Sequence, residues 1–232
     1  MNKEEFIKNV EALGIVITDE NLSKLEEYYE LLTVWNKKIN LTAIVKKEDV
    51  YLKHFYDSLT LFKAIDLNKT ETLCDAGSGA GFPGLVLKIF FPKLNIVLVD
   101  ALQKRVTFLN EVIEKLHLKN IIAVHSRIED YAKENREIFD VVTCRAVSKL
   151  NIMSELCMPL VKVNGYFIPM KGTTEELNDI KFLNYLDSRV LNVFEFYLPI
   201  ENSKRSLIKI QKTKNTNHKF PRNFNIIKLK PL

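Results

Sequence analysis

The stretch "LCDAGSGAGFPG", residues 73–84, places four glycines directly after a short apolar run that ends at Asp75. In open α/β sheets, a glycine-rich turn after the first strand lies at the carboxyl edge of the sheet, where ligands bind. Glycine suits this position because the turn takes unusual backbone angles and because a side chain would keep the backbone away from the ligand. The stretch therefore predicts a strand, a ligand-binding turn and a helix.

The chain after residue 72 alternates between short β-rich runs and helical segments such as 103–116. This alternation predicts an α/β fold, with a mostly parallel sheet and helices on both faces. The runs 191–198 and 206–212 predict a closing hairpin, which brings the sheet to about seven strands. The five earlier strands are predicted at 72–75, 96–100, 121–125, 139–145 and 166–170.

The first part of the chain is predicted to be helical. Apolar residues from Leu22 to Trp35 recur at three- and four-residue steps, with Thr18 or Asp19 as the N-cap, and 50–65 repeats the pattern. We therefore divide the 232 residues into a helical N-terminal extension, residues 1–65, and a core, residues 66–232, that ends in a basic tail. The extension is expected to pack on the core.

The composition is typical of a water-soluble folded protein, with 47% apolar and 27% charged residues. The N-terminus lacks a signal-peptide core, and no run approaches the roughly 18 apolar residues that a membrane span needs. We expect a cytoplasmic protein without membrane contact, and nothing in the sequence requires more than a monomer. Cys74, Cys144 and Cys157 lack metal-ligand spacing, which predicts buried thiols and no metal site.

The net charge of +5 is unevenly distributed. Residues 201–232 contain nine Lys or Arg and one acid, a local charge of +8, whereas the rest of the chain carries −3. Such a segment is typical of contact with a phosphate backbone, although a solvated basic tail is an equal alternative. Lys37, Lys38, Lys46 and Lys47 are predicted either to be solvated or to form one basic rim with this tail.

The glycine pattern indicates the ligand. A dinucleotide site that used Gly77 and Gly79 would need a third glycine at position 82, which is Phe82. The Asp75 carboxylate suits the ammonium of an amino acid and would repel a pyrophosphate. This pattern resembles the first motif of class I (Rossmann-like) methyltransferases that use S-adenosylmethionine. Asp100 ends the next strand, where a carboxylate can accept hydrogen bonds from ribose hydroxyls.

The third and fourth strands complete the predicted cofactor site. Ile128 and Glu129 follow the third strand, where such folds contact the adenine, and Arg145 ends the fourth strand at the edge where the methyl group is transferred. The sequence around Arg145, "TCRA", lacks the Asn/Asp-Pro-Pro-aromatic stretch of adenine-N6 enzymes. Cys144 lies in an apolar strand pattern without a flanking proline, so a buried thiol is favoured over the nucleophile of a cytosine-C5 enzyme.

Eight motifs spread over essentially the whole chain resemble the family of small-subunit ribosomal RNA methyltransferase G, also called glucose-inhibited division protein B. The motifs are "WNKKINLTAI" (35–44), "HFYDSL" (54–59), "DAGSGAGFPG" (75–84), "VDALQKRVTFL" (99–109), "SRIE" (126–129), "TCRAV" (143–147), "MKG" (170–172) and "KFPR" (219–222). One departure is visible: the family's tail usually continues through a glycine and a proline, whereas this chain ends in "NFNIIKLKPL".

The resemblance implies methyl transfer to N7 of one guanine in 16S rRNA, within the small ribosomal subunit. It also implies a set of side chains and backbone groups that line the S-adenosylmethionine site. These are Gly77, Phe82, Asp100, Ala101, Leu102, Ile128, Glu129 and Arg145. Guanine N7 is a lone pair without a proton, so no general base is needed and catalysis depends on alignment. Arg145, Lys171 and Asn40 are candidates for positioning the base.

Two alternatives stay open at this point. A class I methyltransferase that acts on a small molecule or a protein would share the fold and the cofactor, without need of a basic tail. A nucleic-acid-binding module that has lost catalysis would share the tail, although the set Asp75, Gly77, Gly79 and Asp100 is intact. His54 and Asp57, three residues apart, are predicted to form a local polar pair and not a catalytic dyad.

Overall fold

A computed structural model of the protein describes residues 1–146 and 148–232; Val147, the last residue of the "TCRAV" motif, lies outside the described residues. Its strands are β1 (Thr72–Ala76), β2 (Asn95–Asp100), β3 (Ile121–His125), β4 (Phe139–Arg145), β5 (Val161–Lys171), β6 (Ser188–Tyr197) and β7 (Lys204–Lys212). They form one sheet in the order β3-β2-β1-β4-β5-β7-β6. β1 to β5 are parallel, and β7 runs antiparallel to both β5 and β6. The predicted α/β fold and its closing hairpin are confirmed.

The helices are α1 (Lys3–Ala12), α2 (Asp19–Ile39), α3 (Lys47–Val50), α4 (Asp57–Leu59), α5 (Gly84–Phe90), α6 (Gln103–Lys115), α7 (Ile128–Glu134), α8 (Leu150–Cys157), α9 (Phe182–Tyr185) and α10 (Phe224–Leu229). A π-helical segment, Tyr51–Tyr56, joins α3 to α4. Thr18 is the N-cap of α2, and its side chain accepts a hydrogen bond from the amide of Asn21.

Several strands begin earlier than their patterns indicate: β6 starts at Ser188 and not at 191, β7 starts at Lys204 and not at 206, and β5 differs most. β5 was expected from residue 166, but it starts at Val161. Its regular pairing with β4 begins at Tyr166, opposite Val141, and an irregularity lies before that point. The continuous apolar run that predicts a buried strand, 166–170, lies only in the regular part, and Asn164 and Gly165 before it are typical turn residues. The sequence pattern therefore misses the start.

The two faces of the sheet contribute to two hydrophobic clusters. Neighbouring residues of β1, Leu73 and Cys74, belong to different clusters, as expected for a strand whose side chains alternate between faces. The cluster that contains Leu73 also contains Phe6, Leu25 and Tyr28 from the N-terminal helices. The helical extension therefore shares one core with the sheet, and the predicted division at residue 65 stays a prediction.

All three cysteines are free and buried, as predicted. Over the ranges 1–146 and 148–232, no helix is long and apolar enough to cross a membrane.

Candidate functional site

The glycine-rich loop between β1 and α5 presents bare backbone at the carboxyl edge of the sheet. Gly77 and Gly79 have φ angles of 77° and 60°, a left-handed conformation that glycine adopts with little strain. The Gly77 amide donates to the carbonyl of Val99 at 2.8 Å, and the Gly79 amide donates to Oδ2 of Asp100 at 2.9 Å. These contacts join the loop to the end of β2.

Asp75 lies beneath this loop and not at its surface. Its carboxylate is fully buried, and Oδ2 accepts a hydrogen bond from the amide of Gly84, at the start of α5, at 2.9 Å. Burial raises the pKa of Asp75 to about 6. The sequence predicts that this carboxylate contacts the ammonium of a ligand, but the structure does not place it among the groups that line the cavity. A free amide at a helix start attracts a carboxylate, which accounts for this orientation.

Helix α2 supports the loop from below. The hydroxyl of Tyr28 donates to the carbonyl of Ala80, and the Tyr28 ring packs against Phe82 at 5.5 Å between centroids. Burial raises the pKa of Tyr28 well above its usual range, which keeps this hydroxyl protonated. The N-terminal extension thus contributes directly to the position of the loop.

A cavity of about 500 Å³ opens above the loop, and we call it the first cavity. Nine of the ten residues predicted to bind the cofactor line it, and Asp75 is the exception. The nine are Gly77, Gly79, Phe82, Asp100, Ala101, Leu102, Ile128, Glu129 and Arg145. Residues from the ends of four parallel strands therefore meet at one place, as expected at the carboxyl edge of such a sheet.

The first cavity fits S-adenosylmethionine. Its volume lies in the usual range for small-ligand sites. Oδ1 of Asp100 accepts the amide of Leu102 at 2.9 Å, and Oδ2 accepts Gly79 and Arg105. A carboxylate has about four acceptor positions, so Asp100 retains capacity for a ribose hydroxyl.

A second cavity, of about 490 Å³, adjoins the first. Both cavities are lined by His54, Arg145, Ala146, Ser148 and Met153. The second cavity is also lined by polar and charged side chains from four parts of the chain. These are Lys53, Asp57, Cys144, Lys171 and Arg205.

Arg145 is fixed at the junction of the two cavities. Its Nη1 donates to the carbonyl of Lys53 at 2.7 Å and to Oδ2 of Asp57 at 3.0 Å. Its guanidinium also lies over the ring of Phe82, 5.2 Å from the centroid. Asp57 is buried and accepts a second bond, at 3.2 Å, from Nε of Arg205 on β7. Arg145 is therefore held in one orientation by a buried carboxylate.

His54 continues this network toward the first cavity. Nδ1 of His54 lies 2.9 Å from Nη2 of Arg145 and 3.2 Å from the carbonyl of Lys53. Arginine has only donors and is the nearer partner, so Nδ1 accepts from Arg145 and the ring proton is on Nε2. Nε2 then donates to Oγ1 of Thr42 at 2.9 Å, and the same oxygen accepts the amide of Ile44 at 3.0 Å. Both acceptor positions of Thr42 are used, so its hydroxyl proton is a donor at the first cavity, which Thr42 lines.

The His54 ring is neutral. Burial and the charge of Arg145 lower its pKa to about 3. The ring also stacks on Phe82, with centroids 4.3 Å apart. His54 and Asp57 are thus joined through Arg145, whereas the sequence predicts a local pair between them. Neither the contact of Arg205 with Asp57 nor that of Thr42 with His54 is signalled by spacing along the chain.

The two other base-positioning candidates are placed differently. Lys171, the last residue of β5, lines the second cavity and donates to the carbonyl of Ser148 at 2.8 Å. Asn40 ends α2 in the left-handed conformation, with φ 49°, and is exposed. It is not among the residues that line either cavity, because this turn directs its neighbours Leu41 and Thr42 there instead.

The basic C-terminal segment is not a single solvated tail. Four of its nine cations form salt bridges, namely Lys204 with Glu195, Arg205 with Asp57, Lys212 with Glu137, and Arg222 with Glu155. Lys209 donates to the carbonyl of Ala64. The other four are exposed, namely Lys214, Lys219, Lys228 and Lys230. Much of the local charge of +8 therefore serves the fold, which composition along the chain does not reveal.

Solved structures share the fold of this chain. The structure of M. jannaschii TYW2 in complex with AdoMet superposes with a TM-score of 0.52 at 15% identity, over 62% of this chain and 70% of that one. The YcgJ protein from Bacillus subtilis gives a TM-score of 0.51 at 13% identity, over 69% of this chain and 100% of that one. At these identities the likeness shows the fold alone, which is the α/β fold predicted from the sequence.

Sequence comparison identifies the family. A family model described as rRNA small subunit methyltransferase G matches residues 21–214. Ribosomal RNA small subunit methyltransferase G of Bacillus subtilis (strain 168) is 47% identical over 96% of this chain and 95% of its own length. The protein of that name from Bacillus velezensis is 48% identical over the same shares. The chain therefore belongs to the rRNA small subunit methyltransferase G family.

Family membership settles three predictions. The chain is an enzyme, its cofactor is S-adenosylmethionine, and it methylates RNA of the small ribosomal subunit. The family predicted from the eight motifs is confirmed, and the alternatives of a small-molecule or protein methyltransferase and of an inactive binding module are set aside.

Proposed function

We propose that this enzyme transfers a methyl group to N7 of a guanine in 16S rRNA, with the cofactor in the first cavity and the guanine in the second. The observation that carries this proposal is the junction of two cavities of about 500 and 490 Å³ at Arg145. One cavity has the donors and acceptors that suit an adenosyl group. The other is lined by four cations, each paired with a carboxylate, whose remaining N–H donors suit an RNA fragment. The proposed reaction takes place where they meet.

In the first cavity, we assign Asp100 to the ribose and the Ile128–Glu129 pair to the adenine. The backbone of Gly77 and Gly79 would lie against the methionine part, since only bare backbone lies at this point of the loop. When bound, S-adenosylmethionine supplies an electrophilic methyl group on a sulfonium. Asp75 acts indirectly, because its bond to Gly84 positions the loop.

In the second cavity, Arg145 and Lys171 are the proposed contacts of the guanine. The contacts of Arg145 with Lys53, His54 and Asp57 use three of its five N–H donors. The remaining donors suit O6 of the base or a flanking phosphate, while N7 stays free to attack. Paired RNA hides N7 in a deep, narrow groove, so the target base must be unpaired or turned out of its helix.

No group at the junction is needed as a general base. The N7 lone pair forms a bond to the methyl carbon as the carbon–sulfur bond breaks, and no proton is lost from N7. His54 could not serve as a base, because its Nδ1 already accepts from Arg145. Cys144 lies in the second cavity but is buried, as expected of a structural thiol. We assign catalysis to alignment of the reacting atoms, held about 3 to 3.5 Å apart in a site that excludes water.

The substrate also bears on location and assembly. Ribosomal subunits are found in the cytoplasm, so we infer a cytoplasmic enzyme. Both cavities are formed by residues of one chain, which supports action as a monomer.

Label transfer tests the target atom. Small subunits from a strain without the modification are incubated with methyl-labelled S-adenosylmethionine, and the nucleosides of the 16S rRNA are separated. We expect label in 7-methylguanosine. Label in another nucleoside would overturn the assignment of N7 while leaving the enzyme class intact. Subunits that already carry the modification are the control and should accept no label.

A further inference from the structure

Phe224 belongs to the part of the chain where the family resemblance ends, yet it lines the first cavity. It is the first residue of α10, and its ring packs against the hydrophobic cluster on the α8 face of the sheet. Arg127, Ile128 and Glu129 line the same cavity from the start of α7. The guanidinium of Arg127 lies over the Phe224 ring, 5.9 Å from its centroid.

A buried ion pair holds this segment in place. The carboxylate of Glu155, on α8, is fully buried. Its partner is Arg222, which donates from Nε at 2.8 Å and from Nη2 at 2.6 Å, while the Arg222 amide donates at 3.0 Å. A buried carboxylate without these donors would be strongly destabilised, so the fold requires Arg222 to dock. Phe224, two residues later, is then fixed beside α8.

Further contacts fix both sides of Phe224. Before it, Arg136 donates to the carbonyl of Phe220 at 2.7 Å and to that of Thr216 at 2.6 Å. After it, Ile227 is fully buried, and Nη2 of Arg222 reaches the carbonyl of Lys230 at 3.0 Å. The position of Phe224 in the cavity wall is therefore set by contacts on either side of it along the chain.

We propose that Phe224 is a cofactor-binding residue that packs against the adenosine end of S-adenosylmethionine, and that Arg222 is a positioning residue for it. This inference rests on the proposed placement of the adenine beside Ile128 and Glu129. An aromatic ring opposite a purine stabilises it by stacking, which does not depend on hydrogen bonds. The divergent end of the chain thereby completes the cofactor site.

Binding measurements with matched variants test the proposal. We expect Phe224→Ala to weaken S-adenosylmethionine binding, measured by calorimetry, about tenfold, a typical effect of losing one stacking contact. Phe224→Tyr should keep the affinity within about twofold, because the ring is retained. Ile226→Ala is the control, since Ile226 is on the same helix, is 50% exposed and does not line the cavity.

A shorter ligand locates the contact. Methylthioadenosine contains the adenosine part without the amino-acid part. If the Phe224 ring contacts adenosine, Phe224→Ala lowers the binding affinity for S-adenosylmethionine and for methylthioadenosine by the same factor. A lower affinity for S-adenosylmethionine alone would overturn the assignment of Phe224 to the adenosine end.

Hydrogen exchange gives a second readout that does not depend on activity. The amides of Ile226 and Ile227 donate to the carbonyl of Asn223 at 2.9 and 3.1 Å. If α10 contacts the cofactor, S-adenosylmethionine must slow exchange of these amides, because binding and docking are reciprocally coupled. Unchanged exchange at saturating cofactor would overturn the proposal.

The variant Asp100→Asn distinguishes a failure of this proposal from a failure of the proposed function on which it rests. If Asp100→Asn weakens the cofactor and Phe224→Ala does not, only the role of Phe224 is overturned. If neither variant changes the affinity, the placement of the cofactor in the first cavity is itself wrong.

Discussion

His54 is a buried imidazole whose two nitrogens both have partners, Arg145 on one side and Thr42 on the other. Its pKa is lowered from 6.5 to about 3, so the folded protein binds this proton far more weakly than the unfolded chain does. The stabilisation that follows is complete above pH 6.5 and is lost as the pH falls toward 3. His54 is therefore expected to make the fold acid-sensitive.

A substitution tests this expectation. From pH 7 to pH 5, protonation of one such histidine in the unfolded state lowers the free energy of unfolding by about 2 kcal/mol. His54→Gln lacks the titrating group, so its free energy of unfolding should fall by about 2 kcal/mol less than that of the wild type over this range. Denaturant unfolding at both pH values measures the difference. Equal losses in the two proteins would show that His54 is protonated in the folded state.

Among single residues, the sequence could predict those that follow a strand directly. Gly77, Gly79 and Asp100 are found at the first cavity because the ends of parallel strands must meet at one edge. Thr42, His54, Arg205 and Phe224 could not be assigned to the two cavities in this way. Their contacts join segments far apart along the chain, and no local pattern records such pairs.

At the scale of elements, the start of α5 depends on close packing under the loop. A Cβ atom at Gly84 would lie 2.2 Å from Cδ2 of Leu98 and 2.9 Å from Oδ2 of Asp75. Leu98 is fully buried and cannot move aside freely. Glycine is thus required at this position by space, so that α5 can approach the sheet.

Gly84→Ala should therefore destabilise the protein by about 3 kcal/mol, at the upper end of the usual cost of overpacking. The matched control is Gly172→Ala, because no atom lies within 4 Å of a Cβ built there. The control should change the free energy of unfolding by less than about 0.5 kcal/mol. Denaturant unfolding of both variants is the measurement. Similar stabilities for the two would contradict the packing argument.

The bounds of the elements show what periodicity can record. β3 and β4 begin and end where their patterns predict, and β3 pairs with β2 in regular register over its whole length. β5 starts early at an irregular stretch, and α10 lies in a tail whose departure from the family pattern left its path open. Only tertiary contacts define these two elements.

For the whole molecule, the basic C-terminal segment serves the fold as well as the surface. Lys212 is fully buried, donates to the carbonyls of Met158 and Val161, and pairs with Glu137. A count of charges along the chain cannot distinguish such a lysine from an exposed one. The loop that follows α2 and helix α10 both border the first cavity, through Thr42 and Phe224, and Lys37 and Lys38 lie in the last turn of α2 before this loop. That these lysines and the basic C-terminal segment form one basic rim around the cavity stays a prediction.

The central claim is that cofactor and base occupy two separate cavities joined at Arg145. Asp100 lines only the first cavity, and Lys171 lines only the second. Lys119→Gln is the control, because this exposed lysine precedes β3 at the opposite edge of the sheet. Thermal unfolding of each variant shows whether it is folded.

The measurement that tests this claim most directly is the affinity for S-adenosylmethionine beside kcat/KM for small ribosomal subunits, in Asp100→Asn and Lys171→Met. Asp100→Asn should lower the affinity for the cofactor about tenfold or more, because the hydrogen bond from the ribose to a charged acceptor is lost. Lys171→Met should keep the cofactor affinity within about twofold and lower kcat/KM for subunits about tenfold. Equal loss of cofactor affinity in both variants, or none in Asp100→Asn, would contradict the two-cavity account.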